Sequence, residues 1–298
     1  MRRLFATFAV TASAVALTAC GSSGGGTGGG SQSTGSNGST GASSTAAAAA
    51  CTPATMKTYS SGKLTVATDS PAYEPWFSDD KPANGKGFES AVAFAVAKQL
   101  GYSETQVSWV KASFNSVIAP TPKKYDFDIN EVSITADRAK AVDFSSGYYD
   151  VAQAVIALKG SKYAKATTIA GLHGAKLGAQ KGTTSLTAIT SQIQPGNSPA
   201  EYPTNDLAVQ ALKNGQIDGL VVDLDTGLYI TGAELDNSVI VGQLPVVGTP
   251  QQFGLVLDKG SKLTSCVSAA VDALRANGTL AKLQQQWLSD SAGLPVLK

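Results

Sequence analysis

The stretch that most limits what this chain can become runs from Tyr125 to Tyr149 and reads YDFDINEVSITADRAKAVDFSSGYY. Ile129 and Val132 mark the apolar positions of an extended run predicted over 127–134. It stops at Thr135, a good helix N-cap, and Asp137 follows in the first turn, where the helix dipole favours a negative charge. A strand that feeds a helix through so short a turn fits an α/β architecture. The same turn gathers Ser133, Thr135 and Arg138. Two readings of that corner stand side by side: a capped turn with a solvated arginine, or a seat for a carboxylate. The second works because a guanidinium offers a planar fork and a helix N-terminus offers unpaired N–H groups.

The rest of the chain repeats the strand-to-helix theme. Residues 63–68 alternate Leu64 and Val66, the pattern of a half-buried strand. They lead into Asp69-Ser70-Pro71-Ala72-Tyr73-Glu74-Pro75-Trp76, a proline-punctuated loop with aromatics. Gly87 and Phe88 open a helix carrying Val92, Val96 and Leu100 and ending at Gly101. Strands are expected at 107–111, 151–158 and 175–180, and Phe114 opens a helix. A further helix spans 206–213. Residues 217–222 form an apolar run of buried parallel-strand type that ends on Asp223. Residues 253–257 read as another strand, and helices follow around Leu263–Leu274 and Leu280–Leu288. An acid such as Asp223, at the carboxyl end of a strand, either caps the next helix or meets a ligand cation in the crevice. Asp225 reads as surface, and Glu89 as structural or peripheral.

In order, Asp126, Ser133-Ile134-Thr135, Arg138, Asp143-Phe144-Ser145 and Tyr148-Tyr149 resemble the central signature of the family 3 extracellular solute-binding proteins, the amino-acid receptors of ABC importers. Blocks from Lys63 to Leu288 follow in the family's order. The resemblance implies a two-lobed type II periplasmic-binding-protein fold. Each lobe would be a mixed five-stranded sheet flanked by helices, with the ligand cleft between them. It implies lobe one at 57–152 and again at 245–298, with residues 239–247 returning the chain to it, and lobe two at 153–244. Arg138, Ser133 and Thr135 would take the α-carboxylate, joined by Thr183 and Thr184 from a strand-Gly-Thr-Thr-helix turn. Asp223 would take the α-ammonium. Asp69, Tyr73, Trp76, Phe114 and Glu131 would line the side-chain pocket. Trp76 is also a candidate for the lobe core, and Asp69 and Ser70 compete for the polar position facing the ligand. Many relatives carry a small residue where Glu131 stands, and this chain reads Gly-Phe-Glu-Ser-Ala where the family often has Gly-Phe-Asp-x-Asp. Two acids with aromatic walls favour a polar or basic side chain.

The N-terminus fits an exported protein. Arg2 and Arg3 precede a short apolar run, Leu4 to Leu17, too short for an ordinary spanning helix of roughly 20 residues. Leu17-Thr18-Ala19-Cys20 resembles a lipobox, so residues 1–20 are expected as a leader and Cys20 as the lipid anchor. A plain secretory cut near Ala19 is the alternative. Residues 21–56 are expected as a flexible tether, because the stretch to Ala50 is almost wholly Gly, Ser, Thr and Ala. The protein would then sit on the outer face of the cytoplasmic membrane as a monomer. In an oxidising compartment Cys51 and Cys266 are the remaining pair, either a disulfide or two independent thiols.

Composition narrows the function classes. Without Arg2 and Arg3, the 23 basic residues become 21 against 22 acidic ones, no footprint for nucleic acid. His173 is the single histidine, so a Ser-His-Asp triad or a zinc site has little to build on, and neither metal nor cofactor is expected. An enzyme of the same fold, a prephenate-dehydratase type using a carboxylate acid, and a ligand-sensing subunit remain alternatives. The sensor is disfavoured because no membrane-spanning run follows Leu288.

Overall fold

The computed structural model describes residues 51–288 and 293–298. The expected leader at 1–20, the Cys20 anchor and the tether to residue 50 lie outside the described residues. Among the described residues no helix is long and apolar enough to cross a membrane.

Sheet one takes β1 (Leu64–Thr68), β2 (Val107–Lys111), β3 (Phe127–Asp128) and β4 (Asp143–Val151). The chain then passes through Ala152 into sheet two, which holds β5 (Gln153–Leu158), β6 (Leu177–Gln180), β7 (Ala200–Tyr202), β8 (Gly219–Asp223) and β9 (Ser238–Gln243). Finally β10 (Gln251–Leu257) rejoins sheet one. The orders are β2-β1-β3-β10-β4 and β7-β6-β8-β5-β9. β10 runs antiparallel to β3 and β4, and β5 antiparallel to β8 and β9, so both sheets are mixed. Flanking helices are α1 (Phe88–Gln99), α2 (Phe114–Val117), α3 (Arg138–Ala141), α4 (Thr184–Ala188), α5 (Asn205–Lys213), α6 (Leu224–Tyr229), α7 (Thr264–Ala276) and α8 (Thr279–Trp287).

The two cores differ in material. Lobe one is built on rings: Trp76 meets Phe253 at 5.5 Å and Tyr149 at 5.6 Å, and Phe88 meets Tyr149 at 5.4 Å, mostly edge to face. Lobe two is mainly aliphatic, with Leu177, Ile189 and Ile193 in one cluster and Leu212, Ile217 and Leu220 in another. Burying one such side chain contributes roughly 1.5–3 kcal/mol.

Several expected boundaries move. β1 is buried along its whole length, threonines included, because it lies inside the sheet between β2 and β3. The extended run expected over 127–134 pairs as a strand only at Phe127–Asp128, since Glu131 adopts φ 53° and turns the chain out of the ladder. Ser133 rejoins through a single bridge to Phe253. The strand expected at 151–158 is two, one in each sheet, parted at Ala152. β9 belongs to sheet two, so the return is made by residues 244–250. The tether expected to reach 56 stops short, because Cys51 and Met56 pack on the lobe-one core. Cys51 is bonded to Cys266 of α7. The chain's end was expected with lobe one; instead Leu297 is buried in lobe two, and Gln243 exchanges backbone bonds with Pro295 and Leu297 at 2.8 and 2.9 Å. A side chain at Gly242 would collide with that tail, 2.8 Å from Leu297 Cγ.

Candidate functional site

At the Ser133–Arg138 corner, the backbone N–H of Arg138 donates to Thr135 Oγ1 at 3.1 Å, which fixes where the arginine leaves the chain. The guanidinium then folds back. Nη1 donates to Ser133 O at 2.6 Å, Nη2 reaches lobe two to donate to Gly182 O at 2.9 Å, and the group lies 5.3 Å over the Phe114 ring. Burial pulls its pKa down to about 10, so it stays charged at neutral pH. Gly182 sits at φ 79°, a conformation that favours glycine, and a Cβ there would lie 2.8 Å from Asn115 Oδ1 of lobe one. Opposite, Thr183 caps α4 by accepting from Leu186 N, and Thr184 Oγ1 lies 3.3 Å from Ser133 Oγ.

Asp223 closes the other side. Gln153, the first residue of β5, donates through Nε2 to Asp223 Oδ1 and accepts at Oε1 from Ser185 Oγ at 2.6 Å. Burial pushes the Asp223 carboxyl up to about 7, against the bond from Gln153 and the charge of Arg138. Asp223 and Arg138 face one cavity. Its walls also hold Asp69, Tyr73, Phe114, Asn130, Glu131, Ser133, Gln180, Thr183, Thr184 and Asn205. Asp69 rather than Ser70 faces it, and both Asp69 oxygens accept backbone N–H groups, from Ser70 at 2.7 Å and Phe114 at 3.1 Å. Ser70 instead accepts from Lys111 Nζ at 2.8 Å.

Of the expected residues, Asp69, Tyr73, Phe114, Glu131, Ser133, Arg138, Thr183, Thr184 and Asp223 come together on the cavity wall. Trp76 and Thr135 do not. Trp76 is fully enclosed by core rings, and only its indole N–H looks across, donating to Thr226 Oγ1 at 3.0 Å. Thr135 acts one step back, through the Arg138 backbone. Asp225 is a correction: it is 4% exposed and accepts from Tyr149 OH, because α6 turns it inward against lobe one. Glu89 is not peripheral. It is fully buried, accepts from Tyr148 OH and from Glu131 N at 2.7 Å, and burial raises it to about 7. Sequence reasoning passed over Gln153, Asn130, Gln180, Asn205 and Thr226. The one local signal was a glutamine opening the otherwise apolar run of β5.

Residues 64–290 match the model of the bacterial extracellular solute-binding proteins, family 3. The chain belongs to this family. Two relatives in it are each 30% identical to this solute-binding protein. The first is ABC transporter arginine-binding protein 1 of Escherichia coli (strain K12), with 67% of this chain aligned to 81% of that one. The second is ABC transporter glutamine-binding protein GlnH of Bacillus subtilis (strain 168), at 70% and 76%. Among solved structures, an ancestral arginine-binding protein bound to glutamine superposes at a TM-score of 0.63 with 28% identity, covering 76% of this chain and 97% of its own. The family places the two sheets and the cleft among type II periplasmic binding proteins.

His173 lies exposed on lobe two, outside the cavity wall, and among the described residues no group of three His, Cys, Asp or Glu side chains could hold a metal ion.

Proposed function

We propose that this protein captures a free amino acid between its lobes and presents it to the permease of an ABC importer. The observation that carries the reading is that Arg138 and Asp223, opposite charges from different lobes, share one cavity without pairing with each other. A zwitterion fits between them. Its carboxylate meets Arg138, Ser133, Thr183 and Thr184, and its ammonium meets Asp223. Either lobe alone offers half of these partners, so ligand binding favours the closed arrangement. Contacts such as Arg138 to Gly182 and Trp76 to Thr226 span the lobes. The acids on the wall suit a polar or basic side chain.

The protein acts as a binder in this reading and not as a dehydratase, because the groups around the cavity are committed to holding charge at both ends of a ligand. Attachment to the outer face of the membrane through Cys20, with the domain working as a monomer, completes the proposal. A thermal-shift screen of the purified protein against the amino acids and polyamines tests it. A ligand at 100 times its dissociation constant adds about 2.7 kcal/mol of stability. No stabilisation by any free amino acid, or turnover of a prephenate-like acid, would overturn the reading.

A further inference from the structure

Glu131 is the acid on the cavity wall whose carboxyl meets neither a cation nor a backbone N–H and that has no place in the zwitterion scheme. Asp69 has both oxygens on backbone N–H groups. Asp223 is assigned to the ammonium, and Arg138, the sole basic residue on the wall, to the carboxylate. Glu131 meets only a hydroxyl, accepting from Thr226 Oγ1 at 2.9 Å.

Its placement is built rather than incidental. The backbone sits in the left-handed region at φ 53°, which a residue with a Cβ enters at a cost. Fully buried Glu89 holds it there by accepting from Glu131 N at 2.7 Å, and is itself fixed by Tyr148 OH. Across the cleft, Trp76 Nε1 donates to Thr226 Oγ1, whose hydroxyl proton goes on to Glu131 Oε2. One carboxylate thus ends a hydrogen-bond chain that exists only when lobe two is against lobe one.

The acids around it crowd from every side: Glu89 on α1, Asp223 at the end of β8 and Asp225 on α6, with Tyr148 of β4 behind Glu89 and Arg138 nearest Asp223. Among the described residues no ion pair reaches Glu89 or Glu131. Two buried polar atoms beside them also lack partners, Oε2 of Glu89 and Nδ2 of Asn130, the latter on a residue 7% exposed that lines the cavity. Burial and then the charge of Glu89 raise the Glu131 carboxyl well above its ordinary value. Buried carboxylates so placed need either a proton or a cation.

We propose that Glu131 is the specificity-determining residue of the cleft, propped by the positioning residue Glu89, and that it surrenders a proton to solvent when the guanidinium or ammonium end of a basic side chain arrives. This deepens the amino-acid reading above and rests on it. Every amino acid must deprotonate Asp223 to seat its ammonium, so all ligands share that release. A basic one discharges Glu131 as well, and therefore releases one proton more than an uncharged one of similar length.

The test is calorimetry at pH 6.5 in buffers of different ionisation enthalpy, with arginine, lysine and glutamine as probes. The wild-type protein is expected to favour arginine or lysine over glutamine by tenfold or more, and to release about one additional proton with the basic ligands. Glu131→Gln should cancel both the preference and the additional proton while still binding glutamine. Glu131→Asp should restore part of both. Glu89→Gln removes one neighbouring charge, so the pH of greatest additional release should move down. A melting curve on each variant separates misfolding from lost selectivity. If a variant fails to fold, the wild-type difference in protons between arginine and glutamine decides alone. Equal proton counts for the two ligands, or a basic preference that survives Glu131→Gln, sinks this inference and leaves the amino-acid reading intact. A wild-type protein that binds no amino acid sinks both.

Discussion

The two ends of the cleft are built by different means. At the carboxylate end, Ser133, Thr135 and Arg138 lie within one strand-to-helix turn, and Gly182, Thr183 and Thr184 within another. Their geometry is local: a cap at 3.1 Å, a carbonyl at 2.6 Å, a glycine at φ 79°. At the acid end Glu89, Glu131, Tyr148, Gln153, Asp223, Asp225 and Thr226 come from five elements and one loop, and meet only because both lobes have folded. One end is a pair of motifs; the other is an assembly. A charged corner can thus be written in short words, while the acids that face it are spread over the whole fold.

The sharpest way to break that comparison is Arg138→Ala. It removes the only cation on the wall and should weaken amino-acid binding by roughly 2–5 kcal/mol, measured by calorimetry. Arg138→Lys should recover only part, since an ammonium cannot fork to Ser133 O and Gly182 O together.

Next comes the acid end without ligand. Asp223 and Glu89 both titrate near 7 in the fold, against about 4 in an unfolded chain. The folded state therefore holds protons that the unfolded chain gives up above about pH 4. Their contribution is complete at low pH and is lost as pH rises through about 7. Ligand-free protein should be more stable to urea at pH 5 than at pH 8, by on the order of 3 kcal/mol per group at most. A flat profile would show that these carboxyls stay ionised.

Gln153→Ala should sharpen the picture further. It frees Asp223 and strands Ser185, lowering affinity by about 1–2 kcal/mol, and also removes the longer 3.5 Å contact to Thr184 Oγ1. The smallest effect is expected from Tyr149→Phe, which deletes the hydroxyl bond to Asp225 across the lobes and should cost about 0.5–1.5 kcal/mol of closure. Scattering of the ligand-free variant would read it as a more open average shape.

Much of the fold was legible because strand and helix periods are local, and Thr135 and Gly182 announced their turns. The break at Ala152 was hidden, since an apolar strand reads alike on either side of a crossing. The inward turn of Asp225 was hidden too, because an acid two residues past a strand reads as solvent-facing until Tyr149, 76 residues away, is placed against it. Glu131 was visible as an oddity, but its prop, Glu89, stands 42 residues upstream. The tail's attachment to lobe two rests on Gly242 leaving room for Leu297, a vacancy no periodicity records.

The bond from Cys51 to Cys266 has a mechanical reading. It bolts the first described residue to α7, a helix of lobe one, so any pull arriving through the preceding fifty residues is delivered to that half. The other half is joined to it by the chain crossings and by bonds such as Arg138 to Gly182 and Tyr149 to Asp225. A load applied at Cys51 therefore enters the fold through lobe one, the half that carries Arg138.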